Sequence, residues 1–191
     1  MLFRSLDPNR TSPFAFRQFW IDQEDAHVRE LLLRFTLDPV AEITTLLAAH
    51  EANPSARIAQ RHLASRLTTM VHGAEEASRA DEVAETLFGL PGGGARDPRT
   101  LSPATLAILA AELEGGVMPQ AADATLVDAV IAAGLAASKG EARRLIDQGG
   151  ISVNGTPATD AAAAIASFAP LADGSLLMRK GRREHRILRA Q

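Results

Sequence analysis

Residues 138–155 read SKGEARRLIDQGGISVNG, and this stretch decides the fold of the second part of the chain. Ser138 stands three residues before Glu141, which is the spacing of a capping box at the start of a helix. The apolar positions that follow at helical spacing are Ala142, Leu145 and Ile146. Gly149 is a typical residue just past a helix end. The stretch therefore predicts a short helix with one apolar side.

A small antiparallel sheet is predicted after this helix. Ile151–Val153 alternates like a strand, and Asn154–Gly155 is the strongest short signal for a β-hairpin. Leu176–Met178 and Ile187–Leu188 are predicted as two further strands, joined through a turn at Lys180–Gly181. Together with the helix, these strands predict a compact α+β unit.

The sequence of the first part of the chain predicts helices and no strands. Ser12–Pro13 is a cap followed by proline at the first helical position. Later helix starts are predicted at Asp22, at Asp38–Pro39 and at Pro54, each followed by apolar residues at helical spacing. Aromatic residues here could stack on bases but are predicted mainly as core. They are Phe14, Phe16, Phe19, Trp20 and Phe35. We predict an all-α bundle.

Residues 115–124 have the glycine and proline content of a linker. We therefore predict a helical domain at 1–114, a linker at 115–124 and a small α+β domain at 125–191. The last of these opens on a helix that Thr125 can cap. The predicted fold class is α+β, with an all-α bundle followed by the small mixed domain.

Charge changes sign at the predicted linker. Residues 1–124 hold 11 basic and 17 acidic side chains, and residues 125–191 hold 9 and 6. The formal net charge of −3 therefore combines −6 in the first part with +3 in the second. Such asymmetry favours contact of the basic part with nucleic acid.

Composition excludes several classes of protein. The absence of cysteine excludes disulfide scaffolds, thiolate metal sites and cysteine nucleophiles. No apolar run approaches the roughly 18 residues that a transmembrane helix needs, and residues 1–10 do not have the pattern of a secretory signal. We expect a cytoplasmic protein without membrane contact. The five histidines show no metal-ligand spacing, so no catalytic, metal-binding or cofactor-binding residue is predicted.

The basic residues of the second part fall in two clusters. Lys139 and Arg143 share one helix stripe, with Arg144 beside them. The other cluster crowds the predicted hairpin turn and comprises Arg179, Lys180, Arg182, Arg183, His185, Arg186 and Arg189. One interpretation is that these clusters form only a solvated charged face and bind nothing. Binding of a polyanion would turn the repulsion within each cluster into attraction, and the helix start at Ser138 offers backbone N–H groups to a phosphate.

We therefore predict one continuous cationic surface for nucleic acid. Its predicted contact residues are Ser138, Lys139, Arg143, Arg144, Arg179, Lys180, Arg182, Arg183 and Arg186. Charge alone does not say which nucleic acid binds there.

Four segments of the second part resemble the S-four-type RNA-binding module, first described in a small-subunit ribosomal protein. They are Leu126–Asp128, Ala133–Leu135, Ser138–Ile146 and Gly149–Gly155. The ending Leu177–Arg183 is similar to the form of this module in bacterial tyrosyl-tRNA synthetases.

Segments of the first part resemble the helical anticodon-binding domain of the same enzymes, in the same order. They are Leu6–Pro8, Thr11–Phe14, Gln18–Ile21 and Val71–Gly73. The resemblance thus covers about residues 6–190 and comes from two independent parts of the chain.

This resemblance implies the C-terminal, tRNA-binding part of a tyrosine–tRNA ligase. The helical domain would approach the anticodon region of tyrosine tRNA, and the basic domain would hold backbone between the anticodon stem and the long variable arm. The family's catalytic domain, with its HIGH-type and KMSKS-type motifs, has no counterpart here. We therefore expect no adenylate from this chain alone, ATP being a cofactor of the parent enzyme.

Two further expectations concern assembly and alternatives. The family dimerises through its catalytic part, so this chain is expected to be a monomer. A free-standing RNA-binding protein derived from a synthetase remains an alternative. So does a helical protein-interaction module whose basic tail is incidental.

Overall fold

The computed structural model describes residues 10–90 and 93–190. The chain divides between Glu82 and Val83 into two compact units, upstream of the boundary predicted at residue 114. The first unit is helical, and the second combines helices with a five-stranded sheet, which confirms the α+β fold class. The segment Leu6–Pro8, which carries part of the family resemblance, lies outside the described residues.

Eight helices are present in the described residues. They are α1 Pro13–Ile21, α2 Asp25–Phe35, α3 Val40–Ala52, α4 Ile58–His72, α5 Ala74–Phe88, α6 Pro103–Glu112, α7 Leu126–Ala132 and α8 Lys139–Asp147. The strands are β1 Gly115–Val117, β2 Ile151–Val153, β3 Thr156–Pro157, β4 Leu176–Lys180 and β5 Glu184–Arg189. Over the same residues, no helix is both long and apolar enough to cross a membrane, and no three potential metal ligands are grouped.

Helix α4 forms the centre of the first unit and packs against α1, α2 and α3. The predicted start of α1 is confirmed, because Ser12 Oγ accepts the N–H of Ala15 at 3.0 Å and Pro13 follows. The core between these helices includes Phe16, Trp20, Leu32 and Leu63, all buried.

The aromatic prediction is confirmed for three of five residues. Phe14, Phe16 and Trp20 are buried. Phe19 and Phe35 are exposed by about half and flank Trp20, with ring centroids 5.1 and 5.6 Å from its own. Two of the five aromatic rings therefore sit at the rim of the core.

The later helix starts differ from their predicted positions. Helix α2 follows Glu24, while Asp22 ends α1. Pro54 opens a separate 3₁₀ turn, Pro54–Ala56, and α4 begins only after Arg57, whose φ of 50° interrupts the helical path. Local signals placed these helices correctly to within a few residues, since helix ends are the least determined part of a helix.

Asp38 does not cap α3, because its carboxylate is committed to α4. Its side chain is only 1% exposed, with His62 Nε2 at 2.6 Å from Oδ2 and Arg66 Nε at 2.7 Å from Oδ1. The hydrogen bond from Arg66 is the main cause that lowers the pKa of Asp38 to about 2. This interaction ties the start of α3 to the middle of α4.

We expect the first unit to lose about 1–2 kcal/mol of stability as pH falls from 5 to 2. The folded pKa of Asp38, about 2, lies below its ordinary value of 3.8. The Asp38 carboxyl group therefore binds a proton more readily in the unfolded chain than in the folded one. The stabilisation that is present above pH 4 is lost as pH falls through the folded pKa. Asp38→Asn should remove this share of the pH dependence. Fluorescence of Trp20, the single tryptophan, during urea unfolding measures it.

The exposed Asp22→Asn of the same unit is the control for this experiment. It should keep the wild-type loss of stability between pH 5 and pH 2. An Asp38→Asn variant with the same acid dependence as wild type would contradict the assigned role of this carboxylate.

The second unit is built on a mixed sheet with strand order β1-β5-β4-β2-β3. β1 runs parallel to β5, and the other neighbours are antiparallel. Asn154 and Gly155 have φ values of 48° and 81° and join β2 to β3, which confirms the predicted hairpin. The predicted β4–β5 pair is also confirmed.

One face of this sheet packs on α7 and α8. Buried residues from the helices and from β2, β4 and β5 form a single core there. Its largest members are Leu126, Leu135, Ile146, Ile151, Leu176 and Met178. The apolar side predicted for α8 is the side that faces this core.

Gly115–Val117, predicted as part of a linker, is instead the edge strand β1. A Cβ atom on Gly115 would overlap the carbonyl oxygen of Ile187, and one on Gly116 would overlap that of Ala132. The two glycines therefore allow close approach of backbones rather than flexibility.

Candidate nucleic-acid interface

Helix α8 presents two arginines on its outer side. Ala142 and Ile146 are fully buried against the core, whereas Arg143 and Arg144 are exposed. Neither arginine forms an ion pair with any other residue among those described. The helical period that buries the apolar side therefore leaves these two guanidinium groups available in solvent.

The start of α8 is used inside the fold. Ser138 Oγ accepts the N–H of Glu141 at 3.2 Å, which confirms the predicted cap. Glu141 Oε2 accepts the N–H of Ala137 at 2.9 Å, one residue before the cap. This carboxylate stands where backbone N–H groups were predicted to receive a phosphate, and its negative charge disfavours an anion at this helix end.

Lys139 is held by a carboxylate of α7. Its Nζ lies 3.0 Å from Asp128 Oδ1, while Asp128 Oδ2 accepts the N–H and the hydroxyl of Thr125 at 3.0 and 2.8 Å. The Thr125 backbone hydrogen bond is the main cause that lowers the pKa of Asp128 to about 2. Asp128 was missed as a site residue, although the spacing of Thr125 and Asp128 is itself a capping-box signal.

β4 and β5 place their basic residues on both faces of the sheet. Lys180 pairs with Glu184 and Arg186 pairs with Met178, so both basic residues share the face that packs on α7 and α8. Arg179 is one residue from Lys180 and therefore lies on the opposite face. The predicted single surface of nine residues is thus divided between two faces.

Lys180 and Arg186 are engaged within the unit. Lys180 Nζ donates to the carbonyl oxygen of Leu135 at 2.9 Å and lies 3.9 Å from a Glu184 carboxylate oxygen. Arg186 Nη2 lies 3.4 Å from Glu114 and 3.5 Å from Glu184. Both side chains connect elements of the fold, and each has a neighbouring carboxylate as its counter-charge.

The turn between β4 and β5 lies beside the C-terminal end of α8. The N–H of Gly181 donates to the carbonyl oxygen of Gly150 at 2.8 Å, and Gly150 follows the last turn of α8. Arg182 and Arg183 in this turn are exposed, and no ion pair to either is found among the described residues.

In the part of the chain that the structure describes, two adjacent elements therefore carry four exposed arginines without counter-charges. They are Arg143, Arg144, Arg182 and Arg183, which we call the exposed arginine set. A guanidinium group donates two parallel hydrogen bonds to a phosphate and retains its charge at all physiological pH values. This part of the surface can neutralise a phosphate backbone.

Comparison with known protein families places each part of the chain in the same class of protein. Residues 5–89 match the family described as tRNA synthetases class I (W and Y). Residues 113–188 match the Tyrosine–tRNA ligase SYY-like C-terminal domain. The arginine set lies within the second match.

Individual relatives agree with these matches. The chain is 38% identical over 188 residues to a tyrosine–tRNA ligase of Anaeromyxobacter dehalogenans, covering 97% of this chain and 44% of the relative. It is 40% identical over 185 residues to that of Opitutus terrae, covering 96% and 43%. The chain thus matches the C-terminal region of these tyrosine–tRNA ligases, and it spans less than half the length of these relatives.

A solved structure is also similar in part. The C-terminally truncated mitochondrial tyrosyl-tRNA synthetase of Aspergillus nidulans aligns with 44% of this chain and 24% of its own chain. The sequence identity is 34% and the TM-score is 0.43.

Proposed function

We propose that this chain binds tyrosine tRNA, as the C-terminal region of a cytoplasmic tyrosine–tRNA ligase. The observation that carries the proposal is the exposed arginine set within residues 113–188, which match the ligase C-terminal domain. The joining of tyrosine to its tRNA with ATP would take place on residues outside this chain. We propose a monomer that holds no cofactor of its own.

The arginine set would act by positioning the RNA. Contacts to phosphates fix the register and orientation of a nucleic acid but carry little sequence information. RNA identity would come from shape and from unpaired bases. In a full-length enzyme, such contacts would place the distant acceptor end of the tRNA at the catalytic site, so that the reacting groups meet in a productive orientation.

The internal contacts of the second unit favour four of the nine predicted contact residues. Of the nine, only the arginine set is both exposed and without an internal partner among the described residues. The remaining five have internal contacts and are Ser138, Lys139, Arg179, Lys180 and Arg186. We propose that Lys139, Lys180 and Arg186 support the surface by fixing α8 and the β4–β5 turn.

Removing the two arginines of α8 should weaken tRNA binding. We expect Arg143→Ala combined with Arg144→Ala to raise the Kd for tyrosine tRNA about 10- to 100-fold, since each substitution removes a charge-assisted contact. Other tRNAs should lose affinity by a similar factor, because the contacts are to backbone. Filter binding or fluorescence anisotropy with tyrosine tRNA and one other tRNA measures both.

Arg99→Ala is the matched control, because Arg99 is exposed but pairs with Asp97 at 2.9 Å. The affinity of this variant for tyrosine tRNA should stay within about twofold of wild type, as expected when an exposed ion pair is removed. An equal loss in this control would contradict specific contacts by α8. A loss confined to tyrosine tRNA would show that the α8 arginines read bases.

A further inference from the structure

A small cavity lies on the sheet face opposite the α7–α8 core. Its volume is ≈ 40 Å³, and Leu177, Arg179 and His185 of the sheet line it together with Arg96 and Pro98. Arg179 and His185 are direct cross-strand partners in β4 and β5. The cavity is thus polar on the side formed by these two residues.

Arg179 brings an uncompensated charge to this cavity. Its Nη2 donates to Ser152 Oγ at 3.2 Å, and its buried Nε has no hydrogen-bond partner within residues 10–90 and 93–190. No carboxylate pairs with it among the described residues. A partly buried guanidinium group without a counter-ion is unfavourable, and so is a buried N–H without an acceptor. An anion in the cavity would satisfy both.

Two other basic residues, Arg96 and His185, also line the cavity. They favour an anion there, but they add less net positive charge than Arg179. Arg96 Nε donates to Glu85 Oε2 at 2.8 Å, so this arginine carries its own counter-charge. His185 is 6% exposed, and its Nδ1 lies 3.2 Å from the carbonyl oxygen of Arg183. The net positive charge at the cavity therefore comes from Arg179.

We propose that this cavity binds a single phosphate-sized oxyanion, with Arg179 as its principal ligand. A water molecule needs about 10–15 Å³ of such volume, so ≈ 40 Å³ suits one tetrahedral anion and not a nucleotide. The site lies on a different face of the sheet from Lys180 and Arg186 and does not depend on the proposed tRNA contacts.

Titration with inorganic phosphate at constant ionic strength, against chloride, tests this site. The readout is the NMR signal of the His185 ring, identified by its loss in His185→Gln. We expect a saturable shift for wild type and a Kd at least tenfold higher for Arg179→Gln. Arg189→Gln changes an exposed arginine of β5 that does not line the cavity, and it should stay within twofold of wild type.

Thermal unfolding in chloride separates binding from folding. Because Arg179 lacks a counter-ion, Arg179→Gln should have a melting temperature equal to or above that of wild type. Arg179→Lys keeps the charge without the fork of donors and should bind phosphate with intermediate affinity.

A hexamer of uridylate distinguishes the source of the anion. A shift of His185 by this RNA indicates a backbone phosphate, and a shift by inorganic phosphate alone indicates the free anion.

Three results would overturn the proposal. The first is no saturable shift of His185 up to 100 mM phosphate. The second is equal weakening by Arg189→Gln, which would indicate a general charge effect. The third is a clearly lower melting temperature of Arg179→Gln in chloride, which would mean that the charge is already satisfied within the fold.

Discussion

Raising the salt concentration from 50 to 200 mM is expected to weaken tyrosine tRNA binding by about 50- to 150-fold. Each neutralised phosphate contributes roughly 0.7 to 0.9 to the slope of log K against log salt. The exposed arginine set offers four such contacts, so the slope should lie near −2.8 to −3.6. Anisotropy titrations at four salt concentrations measure it.

Variants divide this slope between the two elements that carry the set. Arg143→Ala with Arg144→Ala should reduce the slope by about half, and so should Arg182→Ala with Arg183→Ala. A slope near zero for wild type would contradict the proposed surface. Absence of any tRNA binding at 50 mM salt would favour the alternative of a protein-interaction module.

Replacing Gly115 by alanine is expected to destabilise the second unit by about 2–4 kcal/mol. The new Cβ would overlap the carbonyl oxygen of Ile187, its partner position in β5. The Cβ position is fixed by the backbone of β1 and the oxygen belongs to the backbone of β5, so no side-chain rotation relieves the overlap and β1 has to move away from β5. Urea unfolding followed by far-ultraviolet circular dichroism measures the change.

Gly140→Ala is the matched control for this substitution. Gly140 lies in α8, and a Cβ there meets no atom within 4 Å. Alanine favours the helix by up to about 1 kcal/mol over glycine, so the control should be neutral or stabilising. Equal stability of wild type and Gly115→Ala would mean that β1 is not closely seated on β5.

Local signals predicted the α8 region well because the decisive interactions are local. Ser138 caps a helix three residues ahead, and Asn154–Gly155 closes a hairpin between adjacent strands. Gly115–Gly116 has the composition of a linker, but the reason for both glycines is a close approach that is not local. Ile187 and Ala132, which require the close approach, lie far from it along the chain.

The candidate site was predictable only in part for the same reason. The helical period identifies Arg143 and Arg144 as outward residues. Lys139 pairs with Asp128 on another helix, and Arg186 lies near Glu114, which is distant in sequence, as well as near Glu184. Charge clustering alone therefore predicted more phosphate contacts than the structure leaves available.

The parallel pairing of β1 with β5 has a consequence for synthesis of the protein. Gly115 pairs with Ile187, about 70 residues later. At roughly 5–20 residues per second, on the order of 4 to 14 s separate the translation of these two partners. During that interval β1 lacks its partner strand, and the helices between them lack part of the sheet that covers them. We therefore expect this unit to mature only once its final strand has left the ribosome.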